Sequence, residues 1–277
     1  MPLIIDSHIH AWGISFPNRP FPWTPDPFDT EHLLNILDAN GVAHCVDITP
    51  IMYQWDNAYG LDAVAKHPTR MRVFGRFDPF AADAEGRLSR WMLNRGAAGV
   101  RLTFYGNDLQ KLDNVEDLEP FWTAAEKLGV RVAVFAPDGL WSIVKTIHRH
   151  PQLRLVIDHM GLGVYPGCTQ PLLNFKTLFE FAPFPQVLVK ISGVVEVSRD
   201  PYPFRDAQDL VAETLTAFGA DRLMWGSNFP VVLEKCSYES ALAFVDECNF
   251  DSLERDYVLG RTCERMLAES GNQMDRS

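Results

Sequence analysis

Residues 3–10 read Leu-Ile-Ile-Asp-Ser-His-Ile-His, an apolar run that passes into polar–apolar alternation before it ends. Its apolar part, Leu3–Asp6, has the composition of a buried strand. Side chains alternate along a strand, so Asp6, His8 and His10 project to one side of the chain. Seven more short β-rich runs follow: Ala43–Ile48, Met71–Phe77, Gly99–Leu102, Val130–Phe135, Leu153–Ile157, Val187–Ile191 and Leu223–Trp225. Amphipathic stretches of helical spacing lie between them: Thr30–Ala39, Ala82–Asn94, Val115–Leu128, Gly139–Arg149, Leu172–Phe181 and Phe204–Phe218. Gly41, Gly129 and Gly219 stand where a helix gives way to a strand, a position that favours the left-handed conformation. Apolar strands alternating with helices predict a parallel sheet covered on both faces. Eight such units predict an α/β fold, a single (β/α)8 TIM barrel spanning residues 1–277.

Two segments fall outside this alternation. Residues 16–28 are rich in proline and aromatics, and read as a rigid crossing loop or as a lid near 13–28 over the first strand. From Tyr238 the chain reads as one or two closing helices, with a frayed polar end at Ser270–Ser277.

The bulk numbers narrow the function. The chain has 277 residues, 47% hydrophobic and 22% charged, enough for one large core. A formal net charge of -11 argues against nucleic acid and anionic membranes as partners, since both require a positive field. An anionic small substrate remains compatible, because a site can be locally basic. The five cysteines (Cys45, Cys168, Cys236, Cys248, Cys263) show no paired spacing and predict reduced thiols in a cytoplasmic protein. No secretion signal is expected at the start, and no apolar run reaches the ~18 residues of a membrane span. The sequence leaves a homo-oligomer open.

In a barrel, polar residues at the C-terminal ends of strands face the active site. By that rule the first strand supplies Asp6, His8 and His10, and the fourth Arg101, Thr103 and Tyr105. The sixth supplies Asp158 and His159, the seventh Lys190 and Ser192, and the eighth Ser227 and Asn228. Two imidazoles at i and i+2 on a strand end point the same way, a geometry for binding a metal or one polar substrate. The planar fork of Arg101 suits a carboxylate. Asp6 has a plain reading as a strand-end anchor, Asp158 as a structural partner of His159, and Arg101 as a rim salt bridge. His32, His44, His67, His148 and His150 are read as packed or surface residues.

The blocks IIDSHIHAW (4–12), GAAGVRL (96–102), VIDHMG (156–161), VKISG (189–193), LMWGSNFP (223–230) and YVLGRTCERML (257–267) together resemble the amidohydrolase-2 family. The branch they look most like is that of the sugar-lactone and pyrone-dicarboxylate lactonases. The resemblance implies hydrolysis of a cyclic ester. The runner-up it implies is a metal-dependent decarboxylase or C–C hydrolase on aromatic acids. Two departures stand out. Phe135 and Ala136 occupy the fifth-strand position where the decarboxylases carry a metal-binding histidine. The eighth-strand motif reads Gly-Ser-Asn, with Asn228 in place of the family aspartate. A neutral amide binds metal poorly and cannot act as a base near neutral pH.

The resulting expectation is a lactonase with His8, His10, His159 and Asn228 as catalytic residues. Arg101, Tyr105, Lys190 and Ser192 are expected to bind substrate, with Arg101 on a substrate carboxylate. The histidines polarise the carbonyl, and residue 228 positions the water. No cofactor is favoured. A zinc or manganese ion would draw on His8, His10 and Asn228, an incomplete set. Three readings stay open: a metal-independent site, a base supplied by His159 or another group, and an Asn228 that is itself an inactivating substitution. A catalytically impaired binding or partner subunit is the non-enzymatic alternative.

Overall fold

The computed structural model describes residues 3–18 and 26–271. Eight parallel strands form one sheet in chain order: β1 Ile5–Ile9, β2 His44–Ile48, β3 Met71–Arg76, β4 Ala97–Thr103, β5 Val132–Phe135, β6 Leu155–Ile157, β7 Leu188–Ile191 and β8 Leu223–Trp225. Helices or 3-10 turns connect successive strands, as a right-handed βα alternation requires. The two edges meet through a bridge between Ile9 and Phe229. Two backbone hydrogen bonds join them, from His10 N to Phe229 O (2.8 Å) and from Asn228 N to His8 O (2.9 Å). The sheet thereby curls into a nearly closed (β/α)8 barrel.

The lower interior holds one or more apolar side chains per strand: Ile5, Val46, Ile48, Phe74, Ala98, Ala133, Val156, Leu188 and Met224. Cys263 and Met266, from the closing helix Thr262–Gly271, pack into the same cluster and stopper the barrel floor. This close approach requires glycine: a Cβ on Gly260 would stand 2.2 Å from the Leu3 carbonyl oxygen. Outward-facing strand residues pack on the helices. The helix Leu140–Arg149 buries Leu140, Ile143, Val144 and Ile147, a single stripe at helical spacing. Each such side chain contributes about 1.5–3 kcal/mol on burial.

The helices Thr30–Ala39 and Val115–Leu128 and strand β8 have the expected bounds. Several strands shift along the chain. β1 runs to Ile9 rather than ending at Asp6, so His8 sits inside the strand, and β4 spans Ala97–Thr103, extending the expected strand around Arg101 at both ends. Their periodicity is hidden by polar side chains that point into the barrel mouth. Leu172–Phe181 is a 3-10 stretch over Phe175–Phe181. A further helix forms at Ala58–Lys66: Tyr59 and Gly60 mask its apolar stripe in the sequence, yet Gly60, Ala63 and Val64 are buried. The closing region forms the helix Tyr238–Glu247, then a continuous Ser252–Gly271 segment with a π-turn at Tyr257–Arg261. Ser270 is not frayed; it is buried and donates to Ala98 O at 3.0 Å. Residues 272–277 lie outside the described residues, as do 19–25, where most of the lid-like loop falls. Its described ends meet at the Trp12–Phe28 bridge, with Trp12 Nε1 donating to Asp26. Among the described residues no helix is long and apolar enough to cross a membrane.

Candidate active site at the C-terminal mouth of the barrel

Asp158, the residue after β6, forms the hub beneath the mouth. Its Oδ1 lies 3.1 Å from Lys190 Nζ and 3.5 Å from His8 Nδ1, and its Oδ2 lies 3.2 Å from Arg101 Nε. Asp158, Lys190 and His8 are fully buried. Burial alone would raise the Asp158 pKa, but Lys190, His8 and Arg101 outweigh it and hold the carboxyl well below its usual range. The carboxylate is therefore ionised, and two cations share it. The cluster retains a net positive charge in an acidic protein.

Three imidazoles stand over this hub. The His8 ring centroid is 5.0 Å from that of His10 and 4.5 Å from that of His159. Burial, reinforced by Lys190, holds His8 well below the usual histidine pKa. Burial also pushes His10 down to about 4 and His159 down to about 3. All three are neutral near pH 7. The Nδ1 of His10 lies 2.7 Å from the Ile48 carbonyl oxygen, so in the neutral ring Nδ1–H donates there. Its Nε2 then carries a lone pair toward the pocket. His159 Nδ1 meets Ser192 Oγ at 2.9 Å, which fixes the ring and leaves Nε2 facing inward. His159 and Met160 both have φ of 54°, a left-handed turn that non-glycine residues rarely hold. Such backbone costs on the order of 1–3 kcal/mol and is found where packing fixes a functional side chain.

The barrel seam supplies the opposite wall. Asp6 Oδ1 accepts from His8 N (3.1 Å) and Ser227 N (2.9 Å), and Tyr238 OH donates to its Oδ2 (2.9 Å). Asp6 is thus the anchor that its plain reading implied, tying β1 to the segment after β8. Gly226 lets that segment pass close to β1: a Cβ there would lie 2.7 Å from His8 Cβ. Asn228 follows in a left-handed turn (φ 57°), a conformation asparagine tolerates well. Its Nδ2 donates to Glu196 Oε1 at 2.9 Å, which turns the amide oxygen toward the pocket. Burial pushes the Glu196 carboxyl up to about 7.

The pocket is lined by His10, Arg101, Thr103, Tyr105, His159 and Asn228, with an apolar wall that includes Trp12, Ile51, Phe135 and Val164. Tyr105 stacks on Tyr165 with ring centroids 5.0 Å apart, and Arg101 lies over the Phe135 ring at 5.5 Å. The structure therefore brings His10, His159, Arg101, Tyr105 and Asn228 to one cavity. His8, Lys190 and Ser192 lie behind its wall, where they hold Asp158 and His159. The other histidines sit elsewhere: His67 against Glu31, His148 against Phe184, His32 against Phe28 and His150 between Glu119 and Glu126. His44 opens β2, away from the mouth.

Two residues escaped the sequence reading. Glu196 stands in the apolar run Gly-Val-Val-Glu-Val, where one acid among valines was the available signal. Arg76 ends β3, beside Arg101 in the strand register, and meets the same strand-end rule that selected Arg101.

The donor set does not suit a tight divalent metal. His8 Nε2 is buried without a hydrogen-bond partner and would be an open donor. However, the Lys190 ammonium lies 3.3 Å from Nδ1 of the same ring. Asp158 is engaged by cations, and Asn228 offers only a neutral oxygen. Among the described residues no three His, Cys, Asp or Glu side chains are gathered in a way that could hold an ion. A structural or catalytic zinc takes three or more strong ligands.

A family model described as "Amidohydrolase" matches residues 5–268. The 4-sulfomuconolactone hydrolase of Hydrogenophaga intermedia is 29% identical over 241 residues, covering 81% of this chain and 74% of the relative. The L-fucono-1,5-lactonase of Burkholderia ambifaria is 28% identical over 239 residues, covering 82% and 80%. A crystal structure of an amidohydrolase from Burkholderia multivorans, with bound zinc, superposes with a TM-score of 0.79 at 22% identity, covering 96% of this chain and 99% of that one.

Proposed function

Since the chain belongs to the amidohydrolase family, we propose that it opens a lactone by attack of water on the ring carbonyl. The observation that carries this reading is His10: a neutral, half-buried imidazole with Nδ1 held by Ile48 O and the ring on the pocket wall. The named functions of its relatives, 4-sulfomuconolactone hydrolase and L-fucono-1,5-lactonase, support a cyclic ester as substrate.

In this mechanism His10 Nε2 and the Asn228 amide oxygen accept from the attacking water. The water oxygen bonds to the carbonyl carbon, and its proton passes to His10. The ring C–O bond then breaks, and the departing oxygen takes the proton back. A histidine held near pKa 4 is a poor resting base, but once protonated it is a strong acid toward an alkoxide. His159, fixed by Ser192, faces the carbonyl from the other side, and Arg101 receives an acidic group of the substrate. Phe135 gives the fifth-strand side of the pocket an apolar wall. The product is a hydroxy acid, released as the carboxylate and one proton.

The test is acid release on a pH-stat with 4-sulfomuconolactone, muconolactone and L-fucono-1,5-lactone. His10→Ala is expected to lower kcat by roughly 10²–10⁴-fold, the usual contribution of a positioned acid–base group, with the melting curve preserved. Retained turnover in that variant would remove His10 from the mechanism. If neither wild type nor Asn228→Asp hydrolyses any lactone, a small-molecule binding role replaces catalysis.

A further inference from the structure

Among the described residues, Arg76 is a cation at the mouth that pairs with no acid. It closes β3, in register with Arg101 on β4, and is only 7% exposed. Its backbone is clamped by Asn57, which accepts from Arg76 N (2.7 Å) and donates to Arg76 O (2.9 Å). Its guanidinium is equally constrained. Nε donates to Gln54 O at 2.9 Å, Nη1 donates to Thr103 Oγ1 at 3.1 Å, and the group lies 5.3 Å from the Trp55 ring centroid. None of these partners is charged, and among the described residues Nη2 makes no hydrogen bond. The acid whose field reaches it, Asp108, pairs with Lys111 at 2.7 Å. Burial, and then repulsion from Arg101, lower the Arg76 pKa to about 10, so it stays charged at neutral pH.

A buried arginine without a counterion is costly, because such groups are normally paired. The chain has 36 acids to 25 bases, so acids were available. Arg76 lines a groove that shares Ile51 and Thr103 with the catalytic pocket. Arg101 already shares Asp158 with Lys190 and presents the rest of its fork to that pocket. Two oriented guanidiniums therefore flank Thr103, one in the pocket and one in the adjoining groove.

We propose that Arg101 and Arg76 bind two separate acidic groups of one substrate, so that the preferred lactone is doubly charged. This rests on the lactonase reading for the scissile ring, but not for the charge pattern. A carboxylate or a sulfonate can serve Arg76, since both carry a negative charge and offer oxygen acceptors to the guanidinium edge that Gln54 and Thr103 leave open.

The test compares three lactones. 4-Sulfomuconolactone carries a sulfonate and a carboxylate, muconolactone a carboxylate alone, and L-fucono-1,5-lactone neither. Arg76→Gln is expected to raise KM for the doubly charged lactone about 10–100-fold, as loss of a charged hydrogen bond does. KM for the other two, and kcat for all three, are expected to stay within about threefold. Arg76→Lys keeps the charge without the fork and should fall between. Equal KM changes on all three lactones, or none, would overturn the proposal. A second measurement separates it from the lactonase reading: calorimetry with linear dicarboxylates from succinate to adipate against monocarboxylates of equal length. Tighter diacid binding that Arg76→Gln abolishes upholds the paired anion site even without turnover. Identical titrations of the two proteins would sink it.

Discussion

Replacing Asp158 by asparagine removes the charge on which the barrel mouth is built. The substitution is nearly isosteric, so packing is preserved and only electrostatics change. In the wild type the carboxylate stands 3.1 Å from Lys190, 3.2 Å from Arg101 and 3.5 Å from His8. Removing one partner of a buried ion pair costs about 3–5 kcal/mol, because the remaining charge is stranded. Here two cations are stranded, so the upper end, about 5 kcal/mol, applies. For a domain of this size about 2–4 °C of Tm is lost per kcal/mol, so Asp158→Asn should melt roughly 10–20 °C lower. The loss also depends on pH. Asp158 has a depressed pKa, so its contribution is full above the unfolded value of about 3.9 and disappears as pH falls through the folded value. Wild type and variant should converge on acidification. Lys190→Met in the variant background should recover part of the loss, since it removes one stranded charge. Thermal melts at pH 7.5 and at about pH 2 across the four-protein cycle measure all of this. An Asp158→Asn protein melting within about 3 °C of wild type, with no coupling to Lys190, would refute the hub.

Three further outcomes follow from particular contacts. Ser192→Ala frees the His159 ring and should lower kcat roughly 3–10-fold, equivalent to one hydrogen bond, with little change in Tm; unchanged kcat would show that His159 needs no positioning. Burial pushes Asp47 up to about 7, against a weaker opposing contact from the Ala11 backbone, and among the described residues no cation pairs with it. Its ionisation therefore destabilises the fold as pH rises from about 4 to 7, and Asp47→Asn should stabilise the protein at pH 8, by up to about 4 kcal/mol, but not at pH 4. Denaturant melts at the two pH values decide it, and an equal effect at both would contradict it. Dialysis against a chelator should leave lactone turnover within about twofold, given the poor donor set; near-stoichiometric zinc or manganese whose removal abolishes activity would reverse that conclusion.

The order of strands and helices was legible in the sequence because each βα unit repeats one apolar pattern. The strand ends were harder, since inward-pointing polar residues such as His8 and Arg101 break the pattern where the site begins. Asp6, His10 and Arg101 could be placed by alternation alone. The role of Asp158 could not, because it depends on charges brought from β1, β4 and β7, three strands distant in sequence. Lys190 shows the same limit: alternation aims it into the barrel, but only the packed structure shows that it lies beneath the pocket. Arg76 was accessible to the strand-end rule. Glu196 was hidden by its valine neighbours, and its meaning rests on the amide of Asn228.

The seam between β1 and the segment after β8 has a consequence for synthesis. His8 and His10 leave the ribosome before Ser227, Asn228 and Tyr238, which meet that lip through Asp6 and the backbone and lie more than 200 residues further along the chain. A nascent chain can lay down seven strands and still have no second wall to its pocket. Competence is therefore conferred only once the segment after β8 has been made and the two lips join. A split protein cut between β7 and β8 would carry its own reporter of closure, silent as halves and active on reassembly.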